Sequence, residues 1–137
     1  MRIAALALVA GTILLGACSG PESVHNAKAK VDAFHRNLDK GDYEAIWQDT
    51  SQDLRGTATK ESFSQLLSAV HTKLGNVKET KQTGWRANVN TGGSFAEVTM
   101  DTTFEKGSGQ ENFVFRNLDG EQKLAGYHIN STDMMLK

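Results

Sequence analysis

Apolar residues in the first half of the chain recur every three or four positions, which is the spacing of one face of an α-helix. The clearest stripe follows Ser23 and consists of Val24, Ala27, Val31, Phe34 and Leu38. Glycine, a residue that often ends a helix, follows two of the periodic segments. The pattern predicts three helices, which run from Ser23 to about Gly41, from Asp42 to about Thr50, and from Lys60 to Leu74 between a cap at Thr59 and a stop at Gly75.

After Gly75 the pattern changes to shorter segments in which polar and apolar residues alternate, as in strands. One alternating set would form a buried sheet face: Ala96, Val98, Met100, Thr102 and Phe104. Glycine-containing turns separate four predicted strands, at about 77–89, 94–105, 111–118 and 121–130. Helices followed by an antiparallel meander predict an α+β fold.

The chain begins with an apolar segment that ends at its only cysteine. Residues 3–15 form a run that suits an export signal and is too short to cross about 30 Å of hydrocarbon comfortably. The following residues Leu15-Gly16-Ala17-Cys18 resemble the lipobox of bacterial lipoproteins. This resemblance implies a signal peptide at 1–17 and a Cys18 that carries acyl chains such as palmitate and attaches the protein to a membrane. The segment Ser19-Gly20-Pro21-Glu22, which holds the only proline, predicts a short tether, so that 18–22 comprise the lipidated cysteine and the tether. Ser19, where an aspartate would favour inner-membrane retention, favours the outer membrane, facing the periplasm.

The remainder of the chain is long enough for one domain, predicted at 23–137. Among the 137 residues, 15 basic and 16 acidic side chains give a net charge of −1. No basic stripe is therefore expected, which disfavours nucleic-acid binding.

Motifs for metal binding or catalysis are scarce. The four histidines, His25, His35, His71 and His128, are not spaced three or four residues apart, and the cysteine stands alone. The sequence has no phosphate-loop, dinucleotide or nucleophile motif. We therefore predict that the protein has no metal site and no cofactor. The motifs assign no residue firmly to catalysis.

One candidate acid–base pair follows from the turn at Asp119-Gly120. A two-residue hairpin there would pair Phe115 with Leu124 and, further along, Glu111 with His128. A carboxylate beside an imidazole can perform acid–base catalysis. The alternative is a cross-strand charge pair, which stabilises a sheet by roughly 0.2–1 kcal/mol.

Three further side chains are candidates for lining a ligand pocket. Tyr43 and Trp47 are amphipathic aromatic residues, but their placement beside Ile46 is equally typical of core packing. His35 lies at the margin of the first apolar stripe, so it points either into a cavity or towards solvent.

Four parts of the chain match a known family pattern: Phe34–Trp47, Leu74-Gly75, Phe104 and Leu124–Ile129. They resemble the bacterial domain of unknown function 4019 family, although Gln122 stands where an aromatic residue is expected. The resemblance implies a cystatin-like cone of the nuclear transport factor two superfamily, with N-terminal helices packed on a curved four-stranded antiparallel sheet. Because this fold serves many functions, it does not select one.

These observations predict a lipid-anchored bacterial envelope protein whose domain binds an envelope protein or a small ligand without catalysis. Two alternatives remain, a small hydrolase or isomerase that uses the His/Glu pair, and an inhibitor or immunity-type partner of an exported effector. An interior void lined by Glu111 and His128 would favour ligand binding or catalysis, whereas a filled interior would leave surface recognition.

Overall fold

The computed structural model describes residues 21–137, with side chains from Ser23 onward. The predicted signal peptide and Cys18 lie outside these residues. The elements follow in the order α1 (Pro21–Asp39), α2 (Tyr43–Gln48), α3 (Gln52–Arg55), α4 (Lys60–Leu74), β1 (Val77–Asn90), β2 (Gly93–Phe104), β3 (Gly107–Leu118), β4 (Glu121–Asn130) and α5 (Thr132–Leu136). The predicted α+β class is confirmed.

Local signals explain where the helices begin and end. The Thr59 hydroxyl accepts a hydrogen bond from the backbone N–H of Ser62 at 3.1 Å, so α4 has the predicted cap. Gly75 ends α4 with a φ of 79°, a left-handed conformation that favours glycine. Helix α1 already begins at Pro21, two residues before the predicted start, and proline suits the first turn of a helix.

The four strands form one sheet in the order β1-β2-β3-β4, and all three neighbouring pairs are antiparallel. Strand β3 begins at Gly107, four residues earlier than predicted. The β2–β3 turn is therefore only two residues long, and Phe104 pairs directly with Gly107. The prediction also missed α3 and α5, which span four and five residues.

The β3–β4 register follows the prediction from the turn as far as the Phe115–Leu124 pair. Between Val114 and Phe115 the register then shifts, because Val114 pairs with Gly126 and leaves Ala125 without a partner. Such a bulge moves every later residue of one strand to the other face of the sheet.

Helices α1 and α4 and the sheet enclose one apolar core. We call the sheet face that bears Ala96, Val98 and Met100 the inward face, since these residues are fully buried. Gln122, the residue that departs from the family pattern, is also buried, and its Nε2 donates to the backbone oxygen of Ser23 at 3.1 Å. This bond ties the start of α1 to β4.

The two outer strands have different surroundings. At the edge of β4, Leu124 accepts a backbone hydrogen bond from Ser51 at 2.9 Å and donates one to Asp49 at 2.8 Å. No strand within residues 21–137 pairs with the outer edge of β1. Over the same residues, no helix is both long and apolar enough to cross a bilayer.

Candidate functional site

The centre of the candidate site is Glu111 on the inward face of β3. Its side chain is 0% exposed. It lies in the row that pairs Met100, Glu111 and Ile129 across three strands. A carboxyl group at such a position requires polar partners, because burying an unpaired charge costs several kcal/mol.

Three side chains supply those partners. Glu111 Oε1 accepts hydrogen bonds from His35 Nε2 at 2.7 Å and from Thr102 Oγ1 at 2.6 Å. Glu111 Oε2 accepts one from the Tyr127 hydroxyl at 2.7 Å. We call Glu111, His35, Thr102 and Tyr127 the Glu111 cluster. Its members come from α1, β2, β3 and β4, so the cluster joins the first helix to three strands.

The network continues by one further hydroxyl. Thr80 Oγ1 on β1 lies 2.8 Å from Thr102 Oγ1, and because Thr102 donates to the carboxylate, it accepts from Thr80. All four strands therefore contribute to one chain of hydrogen bonds, and both carboxylate oxygens have donors within the protein.

The environment of Tyr127 favours its neutral form. Burial and the negative charge of Glu111 raise the pKa of the Tyr127 phenol well above its ordinary value, and the hydrogen bond to Glu111 adds to this effect. Tyr127 therefore stays protonated at neutral pH and donates to Glu111.

Aromatic rings fill the space around the cluster. The ring centroid of Phe34 lies 5.0 Å from that of Phe113 and 4.8 Å from that of Tyr127, and the centroids of Phe113 and Tyr127 lie 5.2 Å apart. His35 contacts Phe34 and Phe113 edge to face. These distances are those of direct aromatic packing.

Three cavities lie close to the cluster without reaching its carboxylate. A groove of about 320 Å³ between β2, β3 and the start of α5 has Thr102 in its lining, but neither His35 nor Glu111. A cavity of about 30 Å³ between α1 and α2 has Phe34 and Phe115 in its lining, but neither His35 nor Glu111. A groove between α4 and β4 touches Tyr127 and likewise leaves out Glu111 and His35. The Glu111 cluster thus has the composition of an acid–base site and the packing of a protein core.

The predicted pairing of Glu111 with His128 is wrong. Because of the bulge at Ala125, His128 pairs with Asn112 on the outward face of the sheet and is exposed. Glu111 pairs with Ile129 on the inward face. The histidine that meets Glu111 is His35, from a helix 76 residues away in sequence.

The other pocket candidates do not join this site. Trp47 packs on Phe63 with ring centroids 6.0 Å apart, and the Arg55 guanidinium lies 5.3 Å from its ring. The Tyr43 hydroxyl lies 3.4 Å from His71 Nδ1. Both aromatic residues are partly buried against the core.

Sequence reasoning missed Thr102 and Tyr127 as members of the cluster. Thr102 belonged to the predicted apolar face of the second strand, and a hydroxyl in such a series is a signal of a buried polar partner. For Tyr127 the one local signal is the neighbouring Gly126, because a glycine inside a strand often marks a bulge, and the bulge decides which face Tyr127 occupies. No three His, Cys, Asp or Glu side chains from residue 23 onward are grouped so that they could hold a metal ion.

Comparisons with known proteins identify the fold but no activity. A family model described as protein of unknown function (DUF4019) matches residues 30–127. The structure is similar to the 1.8 Å structure of Aln2 from a Streptomyces species, with a TM-score of 0.55 and 11% identity over 85% of this chain and 96% of that one. At this identity the likeness shows the fold alone, and it confirms the predicted cystatin-like arrangement of helices and curved sheet. No curated protein matches the chain.

Proposed function

We propose that this chain, which belongs to the DUF4019 family, is a lipid-anchored bacterial envelope protein whose domain binds a partner or ligand at its surface without transforming it. The observation that carries the non-catalytic part is the state of Glu111. Its side chain is completely buried, and both of its oxygens accept hydrogen bonds from the protein itself. A catalytic acid or base must instead reach the proton that it transfers.

The contacts of the cluster support a structural role for it. A carboxylate that accepts bonds from elements distant in sequence fixes how those elements pack, since leaving any of the donors unpaired costs free energy. The acid–base hypothesis required Glu111 and His128 on one wall of a pocket, and the bulge separates them. Because packed side chains fill the interior around Glu111, a partner or ligand would be bound at the surface of the domain.

The anchoring part of the proposal is supported by the sequence at the N-terminus. The apolar run 3–15, the small residues before Cys18 and the absence of a second cysteine together favour a lipidated protein. More than one acyl chain gives stable membrane attachment. Ser19 supports a location at the outer membrane, with the domain in the periplasm.

Mass spectrometry and fractionation test the anchoring. The protein isolated from its native envelope should begin at Cys18 with diacylglyceryl and acyl groups attached. The matched variant Cys18→Ser should lack these groups and be absent from the outer-membrane fraction. A native protein with an unmodified Cys18 would contradict the proposal, and an inner-membrane location would contradict its sorting.

Site-specific photo-crosslinking in intact envelopes tests the binding. A benzophenone amino acid replaces Leu66 on α4 or His128 on β4, which are both exposed and line the same groove between α4 and β4. We expect a discrete crosslinked product at one position, with the same probe in the Cys18→Ser background as the control. An absence of any specific product at every exposed position tested would overturn the binding function. Recovery of an exported effector whose activity the protein blocks would identify the inhibitor or immunity alternative.

A further inference from the structure

We infer that the end of the domain where α1 begins lies against the lipid bilayer, with Val89 and Leu118 in the headgroup region. This inference rests on the proposed lipidation of Cys18. It goes beyond that proposal by assigning a fixed orientation to the domain and a second contact with the membrane.

The start of α1 and two turns of the sheet lie at one end of the molecule. Val89 pairs with Ser94, Ser94 with Asn117, and Asn117 with Gln122, so one row crosses all four strands at this level. Gln122 Nε2 in the same row donates to the backbone oxygen of Ser23 at 3.1 Å and to Asn117 Oδ1 at 2.9 Å. The helix start is thereby held beside the β1–β2 and β3–β4 turns.

The chain between the anchor and the helix is short. Two residues separate Cys18 from Pro21, the first residue of α1. Three Cα–Cα steps span at most about 11 Å, and the headgroup layer of each leaflet is about 5–7 Å thick. A lipidated Cys18 therefore keeps the end of the domain that carries Ser23 close to the bilayer surface.

Apolar side chains project at this end. Val89 is 71% exposed beside the β1–β2 turn, and Leu118 is 42% exposed beside the β3–β4 turn. They lie on opposite faces of the sheet, so a sheet that meets the bilayer end-on brings both to it. Apolar side chains near an acyl anchor add to membrane binding in proportion to the area that they bury.

A second copy of the chain, instead of the bilayer, could cover these side chains. The positions of Val89 and Leu118 in the sheet distinguish the two possibilities. The unpaired edge of β1 would place Val89 at an interface between copies. Leu118 lies at the turn between β3 and β4, on the other side of β2. A change in environment at both positions thus indicates the bilayer, whereas a change at Val89 alone indicates a second copy.

The test uses the complete lipidated protein in vesicles of phosphatidylethanolamine and phosphatidylglycerol. Val89→Cys or Leu118→Cys carries an environment-sensitive dye, and the acylated Cys18 has no free thiol to react. The matched control is Leu136→Cys, because Leu136 is 79% exposed in α5, which contacts β3 beside the opposite turn of the sheet. With lipids that bear a quencher near the headgroup, we expect emission to fall about twofold at Val89 and Leu118 and to stay unchanged at Leu136.

The controls distinguish a failure of this inference from a failure of the anchor. A protein whose Cys18 is unmodified and which does not float with the vesicles would overturn both. A lipidated protein that floats but shows equal emission at all three positions would overturn only the orientation. A response confined to Val89 that grows with protein density would assign this surface to a second copy and overturn the bilayer contact.

Discussion

The inward face of the sheet carries an acidic residue in its interior and apolar residues at its margin. Glu111 is completely buried on β3, whereas Trp85 and Val89 on β1 are 54% and 71% exposed. Residue pairing places all three on the same face: Trp85 pairs with Val98, Val89 with Ser94, and Glu111 with Met100. Hydrophobicity therefore does not rank these positions by burial.

The difference between the two regions lies in what covers them. Helix α1 contributes Phe34 and His35 above the β3 side of the sheet. The second half of β1 is exposed on both faces from Trp85 to Asn90. Glu111 is tolerated inside because His35, Thr102 and Tyr127 pair with it, and isolated apolar side chains are tolerated outside because they expose little area.

The strongest test of this comparison is Glu111→Ala. It leaves three buried donors without an acceptor and opens a cavity, so we expect a loss of about 3–5 kcal/mol in the free energy of unfolding. Urea denaturation measures the change. Glu111→Gln, which keeps the volume and one acceptor, should lose less, and a loss below about 1 kcal/mol for Glu111→Ala would refute the structural role of the cluster.

A smaller effect is expected from Tyr127→Phe, which keeps the ring and removes its hydroxyl. Loss of a hydrogen bond to a charged group should destabilise the protein by about 1.5–3 kcal/mol at neutral pH. Because folding raises the pKa of Tyr127, its contribution is complete below the unfolded value of about 10 and is lost as the pH rises towards the folded value.

The stability difference between the wild type and Tyr127→Phe should therefore shrink above about pH 10. Measuring the free energy of unfolding of both proteins at several alkaline pH values isolates the contribution of this tyrosine, because all other titratable groups are common to both proteins. A difference that is constant with pH would contradict the coupling between Tyr127 and Glu111.

The partly exposed ion pair of Asp53 with Arg116 should contribute less to stability than the Glu111 cluster and more than the exposed side chains of β1. Burial opposes ionisation of Asp53, but hydrogen bonds from Ser51 and Arg116 and the Arg116 charge prevail and lower the pKa of its carboxyl group. Because its side chain is about one-third exposed, we expect Asp53→Asn to cost about 0.5–1 kcal/mol at pH 7.

Since the folded pKa of Asp53 is depressed, its contribution is present above the ordinary value of about 4 and is lost as the pH falls through the folded value. The free energies of unfolding of Asp53→Asn and of the wild type, measured by denaturation, should converge in acid. A difference that persists or grows at low pH would assign the effect to packing.

The smallest effect is expected at the margin of the sheet. Val89→Thr should change the free energy of unfolding by no more than about 0.5 kcal/mol, because the side chain is mostly in water. Val98 on the same face is fully buried, so the matched substitution Val98→Thr should lower the free energy of unfolding by about 1–3 kcal/mol. Equal costs in thermal or urea denaturation would show that β1 is covered in solution.

Residue patterns in the sequence predict much of the fold, but they do not predict which residues form the Glu111 cluster. The stripe from Val24 to Leu38 and the cap at Thr59 predict α1 and α4 because each signal acts within a few residues. The Asp119-Gly120 turn predicts the register as far as Phe115 for the same reason. Beyond it, a bulge at Ala125 reverses the faces. Gly126 is a residue type that often marks a bulge, but it does not indicate which neighbouring residue is left without a partner.

The sequence by itself determined the order of the elements, the α+β class and the presence of Glu111 in a strand, because periodicity, caps and turns are local. Only the tertiary structure decided that Glu111 meets His35 and Tyr127 and that His128 faces outward. The physical reason is that these contacts depend on one unpaired residue in β4 and on where α1 docks. Both are settled by packing among residues far apart in the chain.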